Sequence, residues 1–438
     1  MNAACDFLPS HSASVRTLAE WLAHTERLHA QTIDMGLDRV SRVRDAMGMQ
    51  PSFPLITVAG TNGKGSTCAL LASCLEAAGY RVGVYSSPHL VRYNERVRIG
   101  TALASDQQLC DAFAKVEAAR ADQPLTPFEF GTLAAMQVFI DAALDVAVLE
   151  VGLGGRLDAV NIFEPACAIV TSIALDHEAW LGNTREAIGT EKAGVFRPGK
   201  PAICAEPDPP SSIARVASNL GAHLLQIDRD FSVRHEGDRW SFSMADCHWT
   251  EMPALKLLGE FQYRNAAAAL AALASLDTLL PVSASALRQG IRMATLPGRF
   301  QQVALYPLVV LDVAHNPHAA GELARNLRTQ RCSGKTWAVF GMLHDKDVAG
   351  VIAQLAELID VWCVAGISEK RGASLQELQS FLSGVEGEVN GFDSLQEAFL
   401  AARRRAHPED RIVVFGSFVT VGAVMELLEN GNGALQPG

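Results

Sequence analysis

The chain reads as α/β, with a larger parallel-sheet domain built on a glycine-rich P-loop and a smaller Rossmann-like domain after it. Three observations predict this. Short apolar runs alternate with longer helical patterns from about residue 54 onward, which is how βαβ units and a parallel sheet read in sequence. The first of those runs leads straight into a glycine-rich turn and the start of a helix. The alternation then breaks at Leu296-Pro297-Gly298, where Pro and Gly interrupt helical pattern on one side and strand pattern on the other, and a second alternating set begins. At 438 residues the chain also exceeds what one hydrophobic core usually serves.

In order, strands are expected at 55–59, 82–85, 146–151, 168–173 and 201–204, with helices at 66–78, closed by Gly79, and at 131–143. Between 231 and 249 the pattern changes to short alternating runs around Glu236-Gly237-Asp238, an antiparallel insertion spanning about 228–250. An alanine-rich helix follows at 264–276. Beyond the linker, strands are expected near 308–311, 336–340, 361–365 and 412–415, and 430–438 reads as a loose tail. The division is therefore 1–296 and 297–438.

Composition narrows the function classes. Apolar residues make up 49% and charged ones 19%, enough for packed cores. The formal charge of -11 provides no broad basic field, so nucleic acid and anionic membrane are poor partners, and an anionic substrate needs a local site. Nine scattered cysteines without a CxxC pair suggest neither a disulfide framework nor a zinc site, which fits a reducing cytoplasm. No signal core or run of ~20 apolar residues is present. No assembly device is evident either, so a monomer is expected.

The run 55–59 enters Gly60-Thr61-Asn62-Gly63-Lys64-Gly65-Ser66-Thr67. A strand, a glycine-rich turn and a helix N-terminus aim several backbone N–H groups and the positive end of the helix dipole at a polyphosphate. Lys64 then bridges terminal phosphates, and Ser66 or Thr67 offers a hydroxyl to phosphate or metal. Gly65 intervenes between Lys64 and Ser66, so the pattern departs from GxxxxGK[ST] and points away from GTPases and kinases. Taken alone, the loop also reads as a tight unliganded turn. With strand and helix in place, a P-loop nucleotide-binding domain is the stronger reading.

Ligands of open parallel sheets bind at the carboxyl ends of strands. Three more such ends carry candidates: Ser87, Glu150 and His177. Glu150 closes an apolar strand before Gly152-Leu153-Gly154-Gly155, where a carboxylate suits Mg2+ beside ATP. Singly, Ser87 reads as a turn residue and His177 as a capping histidine. Together with the loop they read as a metal site, in which the imidazole admits Mn2+ as an alternative to Mg2+.

VAGTNGKGST at 58–67, YSSPHL at 85–90, EVGLGGRLDAVN at 150–161, TSIALDH at 171–177, EKAGVFRPG at 191–199, PGRF at 297–300 and DVAHNPHA at 312–319 stand in that order along nearly the whole chain. They resemble the dihydrofolate synthase/folylpolyglutamate synthase family of the Mur ligase superfamily. The resemblance implies that Gly63, Lys64, Gly65 and Ser66 hold ATP phosphates and that Ser87, Glu150 and His177 bind Mg2+. It implies that Asn265, Arg299 and Asp312 contact the nucleotide, with His315 facing the same region. The folate side is implied for Asp34, Met35, Gly36 and Leu37, for Thr126, Pro127, Phe128 and Glu129, and for Leu157, Asp158 and Ala159. On residues alone, Asn265 reads equally as an N-cap of the alanine-rich helix, Phe128 as core, and Arg299 with Asp312 as an interdomain salt bridge.

The family's chemistry is phosphoryl transfer from ATP to a carboxylate, giving an acyl phosphate that the amine of L-glutamate attacks. The implied substrates are dihydropteroate and reduced folates. Lys64 and the loop amides would neutralise the transferring group, and domain closure would exclude water. Lys192 lies near the end of a helix starting near Thr184. It reads on sequence as a lysine complementing the helix dipole, whereas the resemblance implies a carbamylated side chain. Two relatives in chemistry compete: folylpolyglutamate synthase activity alone, or ligation on a cell-wall UDP-sugar precursor. A P-loop regulatory ATPase is the rival from another class.

Overall fold

The computed structural model describes residues 16–31, 33–236, 239–245 and 247–431. The expected turn at Gly237 and Asp238 lies outside the described residues, as does the expected tail beyond Gly431.

Three sheets organise the chain. The first contains β1 (Leu55–Ala59), β2 (Val82–Tyr85), β3 (Val97–Ile99), β4 (Ala102–Leu103), β5 (Val146–Glu150), β6 (Cys167–Val170), β7 (Pro201–Cys204) and β8 (His223–Gln226), in the order β4-β3-β2-β5-β1-β6-β7-β8. From β2 to β8 every pairing is parallel, and β3 and β4 complete one edge in antiparallel sense. Every residue of β1 and β5 is buried, as a parallel strand covered by helices on both faces requires. One covering layer is formed by Lys64–Ala77, Phe261–Ser275 and Ala284–Met293, with the 266–272 stretch of alanines and Leu270 fully inside. The opposite face is filled by Phe113, Phe130 and Phe139 from Asp106–Arg120 and Pro127–Asp141.

The antiparallel insertion is β9 (Phe231–Glu236), β10 (Arg239–Met244) and β11 (Cys247–Met252). The third sheet holds β12 (Gln301–Leu305), β13 (Leu308–Leu311), β14 (Thr336–Phe340), β15 (Val361–Ala365), β16 (Glu388–Phe392) and β17 (Arg411–Phe415), in the order β12-β13-β17-β14-β15-β16. Only the β12–β13 pairing in it is antiparallel.

Of the expected boundaries that move, three have a clear local reason. The strand expected to reach residue 173 ends at Val170, because the next two side chains turn aside: the Thr171 and Ser172 hydroxyls both donate to the Asn62 carbonyl. The helix expected from residue 131 begins at Pro127. Thr126 caps it, and its hydroxyl and amide bond Glu129 in a capping box, so the implied folate-side residues 126–129 form an N-cap and first turn. The alanine-rich helix begins at Phe261, which places Asn265 in its second turn and rules out the N-cap reading.

Candidate active site

The loops after β2, β5, β1 and β6 lie side by side at the carboxyl end of the first sheet. With residues from the third sheet's side they enclose a cavity of about 1200 Å3. At its centre, Gly63 takes φ +87° before the helix Lys64–Ala77. A Cβ there would sit 2.4 Å from Asn265 Oδ1, so a side chain is excluded both by conformation and by the helix Phe261–Ser275. Lys64 folds back so that its ammonium donates to the carbonyls of Gly60 and Thr61 at 3.1 and 3.2 Å. The Thr67 hydroxyl is buried with no partner among the described residues. Thr61 N–H donates to Ser172 O and Asn62 N–H to the Ser172 hydroxyl, which ties the loop to the end of β6.

The metal candidates are only partly assembled. Ser87 N–H donates to Glu150 Oε2 at 3.3 Å, so these two stand together. Burial raises the Glu150 carboxyl, against the pull of Lys64 and Arg299. His177 lies beyond β1 on the β6 side, and its Nε2 is 3.2 Å from the Lys346 ammonium. Since an ammonium only donates, Nε2 carries the lone pair. Burial first, with Lys346 and Lys64 adding to it, lowers the imidazole pKa to about 4, so the ring is neutral. No group of three His, Cys, Asp or Glu side chains converges among the described residues. One hydroxyl, one carboxylate and one imidazole lone pair still fit Mg2+ or Mn2+, which fill remaining positions with water and phosphate oxygens. Glu150, already surrounded by cations, would gain from a dication in the same sense.

Lys192 is 4% exposed and borders the cavity. Burial, then Lys64, lowers its ammonium pKa to about 7. The 152–157 loop packs directly on its helix, Arg185–Ala193: Arg156 N–H donates to Glu191 O at 2.8 Å, and a Cβ on Gly155 would meet that same oxygen at 2.6 Å. This contact is why the loop after Glu150 needs glycine. Asp158 accepts from the amides of Leu153 and Val160, and burial raises its carboxyl to about 6.

Asp34, Met35, Gly36, Thr126, Pro127, Phe128, Glu129, Leu157, Asp158 and Ala159 all border the cavity. Leu37 does not. It precedes the helix Asp38–Ala46 and packs its side chain on the core beneath, because an apolar residue there gains more from burial among neighbours. Phe128 packs against the same core and brings its ring 5.9 Å from that of Tyr85, so core and cavity wall are one side chain.

Asn265 donates to Gln262 Oε1 at 2.8 Å. Arg299 and Asp312 form no direct ion pair: the Asp312 carboxylate accepts from Phe300 N–H and Ala314 N–H, both at 2.8 Å, while the Arg299 guanidinium lies over the Phe418 ring. The simple salt-bridge reading therefore fails. His315 keeps its proton on Nδ1, bonded to Val313 O, and burial, then Lys346, lowers its pKa to about 4.

A cluster the motifs did not assign spans both halves. Lys346 donates to Asp176 Oδ1 at 2.5 Å, Asn316 Nδ2 to Asp176 Oδ2 at 3.2 Å, and Asn62 and Asn316 bond reciprocally. Burial pulls the Asp176 carboxyl up, but the Lys346 ammonium, as charge and as hydrogen-bond donor, outweighs it and holds it well below the usual range. His177 and His315 stand 3.9 and 3.7 Å from Asp176, and being neutral they are polar neighbours, not ion-pair partners. Asp176 follows β6 and Lys346 follows β14, so position past a parallel strand's carboxyl end was the available signal.

Residues 58–273 match the family described as Mur ligase middle domain, and 298–418 the one described as Mur ligase, glutamate ligase domain. Dihydrofolate synthase/folylpolyglutamate synthase of Escherichia coli (strain K12) is 50% identical over 414 residues, 94% of this chain and 96% of that protein. The chain belongs to the dihydrofolate synthase/folylpolyglutamate synthase family. The solved structure of E. coli FolC in complex with DHPP and ADP superposes with a TM-score of 0.91 at 48% identity, covering 95% of this chain and 99% of that one. A bifunctional folylpolyglutamate synthase/dihydrofolate synthase with Mn, AMPPNP and L-glutamate bound gives 0.88 at 48% identity, covering 94% and 98%. The fold is thus that of a Mur-type ligase, as the sequence motifs implied.

Proposed function

We propose that this enzyme joins L-glutamate to dihydropteroate, forming dihydrofolate, and to folylpolyglutamates, with ATP cleaved to ADP in each cycle. The observation that carries this reading is the single cavity in which the phosphate loop, the buried Lys192 and the 34–36 and 126–129 segments meet. A relative of this family binds DHPP with ADP, and another binds L-glutamate with an ATP analogue.

In this reading the acceptor's carboxylate, a poor electrophile at neutral pH, takes the terminal phosphoryl group of ATP, and the glutamate amine displaces phosphate from the resulting acyl phosphate. Gly63, Lys64, Gly65 and Ser66 cradle the polyphosphate with amides and one cation, stabilising charge on the group in transit. Ser87, Glu150 and His177 would hold Mg2+ or Mn2+, which neutralises phosphate charge when bound. Asn265, Arg299 and Asp312 contact the nucleotide, and neutral His315 offers its Nε2 toward the same region. Residues 1–296 carry the phosphate loop and the folate site, while Arg299 and Asp312 reach the nucleotide from the linker and the second domain. Residues 297–438 close over the loop and the site, and the Lys346–Asp176 contact marks where the two halves meet.

Among the described residues no helix is long and apolar enough to cross a membrane, and eight cysteines are free thiols. We take a reducing cytoplasm as the compartment. The deciding assay is ADP release dependent on both glutamate and dihydropteroate. Release with a UDP-sugar peptide instead would overturn the reading, and release with tetrahydrofolate but not dihydropteroate would leave folylpolyglutamate synthesis alone.

A further inference from the structure

Arg39 lies on the helix Asp38–Ala46 and does not border the cavity, yet its guanidinium joins the two segments that wall one end of it. Its Nε stands 2.9 Å from each carboxylate oxygen of Glu129. Nη1 donates to Asp34 Oδ2 at 2.5 Å, and Nη2 donates to the Asp34 carbonyl. Asp34 is also approached by His29 Nε2 at 3.3 Å. Glu129 is 3% exposed and already accepts from the amide and hydroxyl of Thr126 at 2.8 and 2.9 Å. One planar cation therefore spans backbone and side chains of segments some 90 positions apart in sequence. Their neighbours Met35, Gly36, Thr126 and Phe128 face the cavity.

We propose that Arg39 is a positioning residue for the folate substrate: it holds the 33–37 segment and the Thr126–Glu129 turn at the separation that admits the substrate's planar heteroaromatic end. The inference rests on the reading of this end of the cavity as the folate site. A fork of five donors can serve Glu129, the Asp34 carboxylate and the Asp34 carbonyl together, which a lysine's point charge cannot. A plain structural ion pair would fix stability but would leave discrimination between the three substrates untouched.

The test uses the full chain with Arg39→Gln, Arg39→Lys and the double variant Arg39→Gln/Glu129→Gln, varying dihydropteroate, ATP and glutamate in turn. The KM for dihydropteroate should rise about tenfold or more in Arg39→Gln, with kcat within about threefold and the KM values for ATP and glutamate within about twofold, since misplacement is confined to one wall. Arg39→Lys should recover only part of the loss. The double variant should regain thermal stability, because no buried carboxylate is left unpaired, without regaining the KM. It carries the measurement if neither single variant folds. An unchanged dihydropteroate KM in a folded variant, a parallel rise in the ATP KM, or recovery of KM together with stability in the double variant overturns the proposal. If the unaltered enzyme itself fails to use dihydropteroate, it is the folate reading that falls.

Discussion

Lys192→Met removes a buried amine whose state can be worked out from its surroundings. Burial and Lys64 take its pKa from 10.5 to about 7. Near neutral pH about half of the side chains are then uncharged, against about one in three thousand for an unperturbed lysine. Only the neutral amine reacts with CO2, so the fold raises the reactive fraction about a thousandfold. Keeping the ammonium charged in the folded state costs about 5 kcal/mol, from the same shift. The sign follows from the folded pKa lying below the unfolded one. Between pH 7 and 10.5 the unfolded chain binds more protons, so stability rises with pH across that window and the penalty is complete below it. A carbamate would replace the cation by an anion facing Lys64 and so remove the penalty. Added bicarbonate should therefore raise the melting temperature of the wild type near neutral pH and leave that of Lys192→Met unchanged. Carbon-13 bicarbonate should give a carbamate resonance absent from the variant. Activity of Lys192→Met should fall on the order of a hundredfold, with partial rescue by acetate, since a preorganised charge is lost. No resonance, no bicarbonate effect and near-normal turnover would refute the reasoning.

Lys64→Ala should lower kcat on the order of a hundredfold while circular dichroism stays native, because the ammonium's present partners are two loop carbonyls and not the core. Phe128→Ala should raise the dihydropteroate KM and leave ATP affinity, measured by calorimetry, within about twofold, since the ring packs on Tyr85 and the core beneath. Lys346→Met and Asp176→Asn should each reduce turnover, and the double variant should cost less than the sum by about 1–3 kcal/mol in a double-mutant cycle, because each single change strands a partly buried charge. Strict additivity would remove the pair from the site.

The buried strands were legible because their composition leaves few alternatives. β1, β2, β7, β13, β14 and β15 fall where continuous apolar runs lie. The strands that escaped notice sit at or near sheet edges. β4 has two residues, β12 contains two glutamines, and β16 starts with an exposed glutamate, so none shows an apolar signature. In the site, the motifs located the phosphate loop, Glu150 and Lys192 because each follows a strand or ends a helix at fixed spacing. They did not show that Glu129 faces Arg39 across 90 positions, or that Lys346 reaches Asp176 across 170. The first contact depends on how two helices pack together and the second on how two sheets meet, and local pattern holds no record of either.

On the proposed reading, the meeting of those sheets would also decide which lysine answers an arriving polyphosphate first. The chain is net negative at -11, yet Lys64, Lys346, Arg264 and Arg299 all border the same cavity. Their present partners differ greatly. Lys64 holds two neutral carbonyls at 3.1 and 3.2 Å, so a phosphate oxygen that replaces them brings a full negative charge to the ammonium and strands no ion. Lys346 holds a carboxylate at 2.5 Å with a side chain 7% exposed, and withdrawing one partner of such a pair costs about 3–5 kcal/mol. The same ammonium covers the lone pair of His177 that a metal would need. A metal that used this lone pair would require Lys346 to move while Asp176 keeps a compensating charge. Phosphate capture by Lys64 requires no such exchange. On the proposed reading, a nucleotide's phosphates would accordingly engage the first sheet's loop before the contact between the two halves has to change.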